Sequence, residues 1–130
     1  MQEAAIEQEC AVRGLPRPAV AHLRLDAADA AAAVARLLEG PEPVSAVCAF
    51  DDDHAFALLA GLAAAGLSAP QDLAVIGAED IPLASLAVPP LTSVRLDAEQ
   101  LGKRFAQMAL GEAHAGNGLP HISLVQRASA

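Results

Sequence analysis

The sequence predicts an α/β protein in which a parallel sheet is flanked by helices. Short apolar runs of strand length alternate with longer segments of helical pattern, and the connections between them are short. The runs at residues 44–50 and 73–76 are almost continuously apolar, as in strands that are buried on both faces. Strands that alternate with helices in this way pair in parallel through right-handed connections.

The elements follow from local signals along the chain. A helical pattern over residues 2–13 ends at Gly14, and a short β-like run covers residues 19–25. Asp26 is placed to cap an alanine-rich helix that ends at Gly40. The later predicted elements are a strand at 44–50, a helix from Asp51 to Gly66, a strand at 73–76, a short helix at 82–86, a strand at 91–95, a helix at 98–110 capped by Asp97, and a strand at 122–125.

Composition limits the classes of protein that fit. The 130 residues suit one domain, and 54% of them are hydrophobic, which excludes a disordered chain. The net charge is −8 and Lys103 is the single lysine, so the cation cluster that a DNA backbone needs is missing. No apolar run approaches the roughly 20 residues of a membrane span, and no signal-peptide pattern opens the chain. We therefore expect a cytoplasmic protein that does not itself bind DNA or a membrane.

The cysteines and histidines suggest neither redox chemistry nor a metal centre. Cys10 and Cys48 are far apart in sequence and are expected to be two buried free thiols. No paired metal-ligand spacing occurs, so we expect no metal and no cofactor. The four histidines are scattered, at His22, His54, His114 and His121.

Acidic residues follow two of the predicted strands. One strand runs into Asp51, Asp52 and Asp53, and the next reaches Glu79 and Asp80 after Gly77-Ala78. In open α/β sheets, ligands bind beyond the carboxyl ends of the strands. Carboxylates there would accept hydrogen bonds from sugar hydroxyls or base N–H groups, although the same residues would also serve simply as helix caps in solvent.

Two enzyme classes place acids after a strand, and neither fits. A phospho-acceptor receiver domain needs a lysine at the end of a late strand, but Lys103 falls within a helical pattern. A haloacid-dehalogenase-like phosphatase needs Thr or Val where Ala55 stands, two positions after Asp53. No glycine-rich phosphate loop or nucleophile elbow is present either. We expect a protein that is not an enzyme.

Four segments of the chain carry a family resemblance: VCAFDDDHAFA at 47–57, GLSAPQDLAVIGAED at 66–80, PPLTSV at 89–94 and LVQRAS at 124–129. They include both acidic strand ends and the closing residues of the chain. Read in order, residues 40–130 resemble the effector-binding core of LacI/GalR-type bacterial transcriptional regulators. The resemblance implies a partial periplasmic-binding-protein-like (type I) subdomain, with helices and strands in the order predicted above.

The resemblance also implies a division of the chain. Residues 1–93 would form a partial carboxy-terminal effector-binding subdomain. Residues 94–130 would be a crossover helix and returning strand that pack on an amino-terminal subdomain not represented in these residues. DNA would be bound only through a helix-turn-helix domain that these residues do not include.

The same resemblance assigns site residues. Asp51, Asp52 and Glu79 would bind a small effector such as a sugar or nucleobase, with Asp52 and Glu79 facing a common cleft. Asp51, Ala57, Ala78 and Glu79 stand where the family has Asn, Gly, an aromatic residue and Asp, which implies an altered pocket. Homodimerisation would use the helix at residues 54–65 and the short helix at residues 82–88, through Phe56, Leu58, Leu59, Leu62 and Leu86.

Three functions remain open at this point. The leading interpretation is the effector-sensing and dimerising portion of a regulator. The alternatives are a stand-alone sugar-binding module related to periplasmic binding proteins and an inactive fragment. The resemblance places the family's first strand, which these residues do not include, between residues 19–25 and 44–50. Ladder groups would stay unpaired there, and we expect poor solubility, strand-swapped association or loss of cooperativity.

Overall fold

A four-stranded sheet forms the centre of the molecule in the computed structural model, which describes residues 2–41, 44–111 and 121–130. The first three strands in chain order pair in parallel, which confirms the predicted sheet. The fourth strand pairs antiparallel with the third, so the sheet is mixed, because the chain runs back along the third strand. Across the sheet the strands lie in the order β1 (Ala46–Cys48), β2 (Ala74–Ala78), β3 (Thr92–Leu96) and β4 (Ile122–Val125).

The predicted helices are present, and aspartates cap three of them as expected. The side chains of Asp26, Asp51 and Asp97 each accept a hydrogen bond from the backbone N–H three residues later, which satisfies one of the free donors at a helix start. In the described ranges the helices are α1 (Gln2–Val12), α2 (Ala27–Glu39), α3 (Asp52–Ala64) and α4 (Ala98–Ala109), and a 3₁₀ turn covers Pro82–Ser85. None of the helices in the described ranges is long and apolar enough to cross a membrane.

Helices α2 and α3 pack together, and α3 packs on β2. The contact between α2 and α3 is close because small residues meet there. A Cβ added to Gly61 would lie 2.7 Å from the carbonyl oxygen of Ala30, which is itself 1% exposed. Leu73, Val75 and Leu91, all fully buried, supply the sheet side of the core. Helix α3 is therefore closely packed between α2 and the sheet.

The strand predicted at residues 19–25 is wrong. The segment forms neither helix nor strand, is mostly exposed and has no strand partner among the described residues. A strand needs a neighbour that exchanges ladder hydrogen bonds with it, and only Leu23 packs against the core here. Of the strand predicted at 44–50, only β1 forms in the structure, and β1 pairs with a neighbour on one side only.

The prediction of two buried thiols is also wrong. Both cysteines are free, but Cys48 is exposed and Cys10 is half-buried. Cys48 lies at the end of an edge strand, where no second strand covers it in the part of the chain that the structure describes. His114 lies outside the described residues.

Candidate functional site

The carboxyl ends of β1 and β2 bring Asp51 and Glu79 to one edge of the sheet. Cys48 pairs with Ile76 in parallel register, so the residues that follow both strands emerge on the same side. Asp51 is half-buried at the start of α3, and Glu79 is exposed. This is the crevice position where α/β proteins bind small ligands.

Asp51 is fixed in place by His54. Its Oδ1 accepts hydrogen bonds from the His54 backbone N–H at 2.8 Å and from the ring Nδ1–H at 2.6 Å. Partial burial raises the pKa of Asp51, but the hydrogen bonds from His54 outweigh it, and the pKa falls below its usual value of 3.8. Asp51 is therefore an ionised acceptor at neutral pH. The exposed ring of Phe50 stands edge-on to the His54 ring, with the centroids 6.2 Å apart.

Glu79 occupies a strained turn after β2. Its φ is +103°, and the φ of Asp80 is +55°, in a region that residues other than glycine rarely adopt. The Glu79 backbone N–H donates to the carbonyl of Val94 at 2.8 Å, so β3 holds the turn. The two adjacent acids therefore differ in exposure: Glu79 is exposed, whereas the Asp80 side chain is 2% exposed.

Asp52 is not available to a ligand in this structure, and the prediction that it contacts one is wrong. It is 0% exposed, and both carboxylate oxygens are engaged. Oδ1 accepts from the Ser93 hydroxyl at 2.6 Å, and Oδ2 accepts from the Ile81 backbone N–H at 2.8 Å. A buried carboxylate needs such partners. Asp52 therefore holds the turn that carries Glu79 instead of facing the cleft beside it.

Glycine is required at position 77 because the Asp52 carboxylate and Leu91 occupy the space that a side chain would take. A Cβ there would overlap with Asp52 Oδ1 and would lie 2.9 Å from Leu91 Cδ2. Gly77 thus lets the Asp52 carboxylate reach across β2 to Ser93 on β3. The glycine that ends the predicted strand therefore has a packing role within β2.

Asp80 is a structural residue that sequence reasoning missed. Its Oδ2 accepts from Arg95 Nε at 2.7 Å, and its Oδ1 accepts from Arg127 Nη1 at 2.7 Å. Arg127 also donates to the Leu91 carbonyl, and the Ser93 hydroxyl accepts from the Asp80 N–H. The doubled acid and the arginine near the chain end were the only sequence signals of this ion pair.

The predicted dimer residues separate into two groups. Leu58, Leu59 and Leu62 are at most 6% exposed and belong to the core of this chain, so they do not form an open surface as predicted. The error arose because α3 is apolar around most of its circumference, and periodicity did not show that α2 covers one side. Phe56 and the 73% exposed Leu86 do line one apolar groove, together with Leu59, Ala60, Ala63, Leu83, Ala87 and Val88.

No group of three potential metal ligands lies together in the ranges that the structure describes.

We predict that Asp80→Asn lowers the free energy of unfolding by roughly 2 kcal/mol at neutral pH. The expected loss of stability lies between the losses typical of exposed and of buried ion pairs, because Arg127 is mostly buried and Arg95 is half-exposed. Burial raises the Asp80 pKa, but the two arginines outweigh it and lower the pKa below 3.8. The stabilisation is therefore fully present above the pKa that Asp80 has in the unfolded chain. It is lost as the pH falls through the lower pKa that Asp80 has in the folded chain.

Urea unfolding between pH 2.5 and 7 measures this effect. The original chain should lose stability steeply below about pH 4, and Asp80→Asn should lose less. Asp53→Asn, at an exposed position in the first turn of α3, is the matched control and should keep the original slope. Equal slopes for the original chain and Asp80→Asn would contradict the assigned role.

Comparisons with known proteins identify the family of this chain. A family model described as a periplasmic binding protein-like domain matches residues 2–130. The lactose operon repressor of Escherichia coli is 34% identical over 95 residues, which cover 70% of this chain and 26% of the repressor. The chain thus spans about a quarter of that relative's length.

Solved structures extend the likeness to three dimensions. A sugar-binding transcriptional regulator of the LacI family from Escherichia coli, complexed with phosphate, aligns with a TM-score of 0.79 and 27% identity, over 98% of this chain and 48% of that one. A LacI-family regulator from Enterococcus faecalis with bound ribose aligns with a TM-score of 0.73 and 27% identity, over 95% of this chain and 47% of that one. The chain belongs to the periplasmic binding protein-like family, in the form that makes up the effector-binding core of LacI/GalR-type regulators.

Proposed function

We propose that this chain is the effector-sensing and dimerising portion of a transcriptional regulator. The observation that carries the proposal is the placement of Asp51 and Glu79 at adjacent parallel strand ends, one ionised and held by His54, the other exposed on a strained turn. DNA contact is assigned to a helix-turn-helix domain outside these residues. The proposed setting is the cytoplasm, and the proposed activity is binding without catalysis.

The effector we propose is a small, hydroxyl-rich molecule, a sugar before a nucleobase. Asp51 and Glu79 are acceptors, so the ligand must supply O–H or N–H donors. The similar regulator from Enterococcus faecalis holds ribose in its solved structure, which supports the same class of ligand. Phe50, 69% exposed beside His54, supplies an apolar ring of the kind that packs on a sugar face.

The crossover segment, residues 94–130, is proposed to link this site to a second subdomain. Asp80 joins Arg95 in β3 to Arg127 after β4, so one carboxylate next to Glu79 holds both strands of that segment. Helix α4 has no buried residue, and its Phe105 and Met108 are more than half exposed. An apolar face of this kind fits a helix that packs on further protein.

We predict that Glu79→Gln weakens ribose binding by about tenfold, because it loses a charge-assisted hydrogen bond. The affinity of this chain alone should be low, since the ligand would be enclosed on one side only. Titration of the ¹⁵N-labelled chain with ribose and with cellobiose, followed by NMR, measures the effect. Glu99→Gln on α4, where the carboxylate pairs with Lys103 in solvent, is the control and should bind as the original chain does. Shifts scattered away from the ends of β1 and β2 would contradict the site.

Dimerisation is proposed through the apolar groove between α3 and the 3₁₀ turn. We predict that Leu86→Asp lowers the weight-average mass in light scattering at high protein concentration, because it places a charge in the groove. Val12→Asp is the matched control, since Val12 is 76% exposed against 73% for Leu86. A mass that is unchanged by Leu86→Asp would argue against this surface.

A further inference from the structure

The imidazole ring of His54 is held by two contacts at the start of α3. Its Nδ1 lies 2.6 Å from Asp51 Oδ1, the same oxygen that accepts from the His54 backbone N–H. The Phe50 ring meets it edge-on, with the centroids 6.2 Å apart, as in a favourable aromatic pair. A ring with both contacts has little freedom to rotate, so the position of its second nitrogen is set before a ligand arrives.

The contact with Asp51 also decides which ring nitrogen carries the proton. The Asp51 carboxylate is ionised at neutral pH and can only accept a hydrogen bond, so Nδ1 must donate. In the neutral ring the other nitrogen, Nε2, then keeps its lone pair and is an acceptor. Because a single carbon atom separates the two nitrogens, this acceptor lies close to the Asp51 carboxylate.

The Nε2 atom of His54 is accessible and unpaired. In the ranges that the structure describes no hydrogen bond reaches it, although every buried side-chain nitrogen and oxygen atom there has a partner. Nε2 is therefore not buried, which agrees with a side chain that is 29% exposed. An acceptor that is fixed in place without a protein donor suits a ligand contact, because the ligand then supplies the donor.

We propose that His54 is a specificity-determining residue of the effector site and that its Nε2 accepts a hydrogen bond from a ligand hydroxyl. The inference rests on the proposed function and adds a third acceptor to Asp51 and Glu79. All three groups accept, and two of them are negatively charged. They therefore favour a neutral ligand with several hydroxyl groups over a phosphorylated or carboxylated one.

Nitrogen NMR of the histidine rings tests both the tautomer and the contact. Long-range ¹H–¹⁵N spectra of the ¹⁵N-labelled chain distinguish protonated from unprotonated ring nitrogens at about pH 8.5, where histidine side chains are ordinarily neutral. His54 should show the Nδ1–H form without ligand, and ribose should shift its Nε2 signal to lower frequency. The signals of His22 and His121, both exposed, should stay in place. His54→Asn identifies the His54 signals by removing them.

The backbone amides at the ends of β1 and β2 separate this inference from the proposed function. If ribose shifts those amides and leaves His54 Nε2 unchanged, His54 is not a ligand contact, while the proposed site stands. If ribose shifts neither, both proposals fail. A His54 ring that carries its proton on Nε2 in the free chain would also overturn the inference.

Two substitutions separate a ligand contact from a purely structural role. His54→Asn keeps a donor within reach of Asp51 but ends short of the Nε2 position, so it should weaken ribose binding about fivefold. His54→Gln places an amide oxygen near that position and should recover most of the affinity. His22→Asn, at an exposed histidine, is the control and should bind as the original chain does.

Unchanged ribose affinity in His54→Asn would overturn the proposal. Equal losses in His54→Asn and His54→Gln would also do so, because they would show that position 54 does not act through an acceptor at Nε2. Circular dichroism checks that both variants fold. The NMR titration of the original chain decides the matter if either does not.

Discussion

The buried carboxylate of Asp52 is the interaction on which the rest of this edge of the molecule depends. It lies in the first turn of α3, directly after the cap residue Asp51, and joins that helix to two other elements. One oxygen binds Ser93 on β3, and the other binds the Ile81 N–H at the start of the 3₁₀ turn. Because both partners are donors held in the sheet or next to it, the Asp52 carboxyl group joins three segments of the chain inside the core.

This arrangement explains why neighbouring acids behave so differently. Asp52 and Asp80 are buried and engaged by protein donors, while Asp51 and Glu79 lie on the accessible side. Ser93 connects the two buried acids, since its hydroxyl donates to Asp52 and accepts from the Asp80 N–H. Strain at Glu79, with its φ of +103°, is tolerated because these contacts fix the turn on both sides. The buried acids thus hold the segments that carry the accessible ones.

Local signals in the sequence were sufficient for the helices, the caps and the central strands. Asp26, Asp51 and Asp97 cap as predicted, because capping depends only on residues within one turn. The strand at 19–25 failed because β structure requires a partner, and sequence pattern alone cannot supply one. Burial of Leu62 was missed for a similar reason, as α2 covers that side of α3.

The candidate site was only partly predictable for a related reason. The rule about strand ends brought Asp51, Asp52 and Glu79 to one edge, but it does not say which side chains turn inward. That choice depends on the Ser93 hydroxyl, 41 residues from Asp52, and on the space left by Gly77. Asp80 and Arg127 are 47 residues apart and likewise meet only in the fold. Long-range polar partners of this kind leave no periodic trace in a sequence.

Native-state hydrogen exchange at the Ile81 amide most directly tests whether Asp52 holds the turn. If Asp52 does so from inside the core, this amide should exchange as slowly as that of Val75, which donates to the Ser129 carbonyl. In Asp52→Ala, its protection should fall to the level of the Leu86 amide, which donates to the Leu83 carbonyl in the exposed 3₁₀ turn. If the Ile81 amide of the original chain already exchanges as fast as that of Leu86, Asp52 does not hold the turn, and the central claim is wrong.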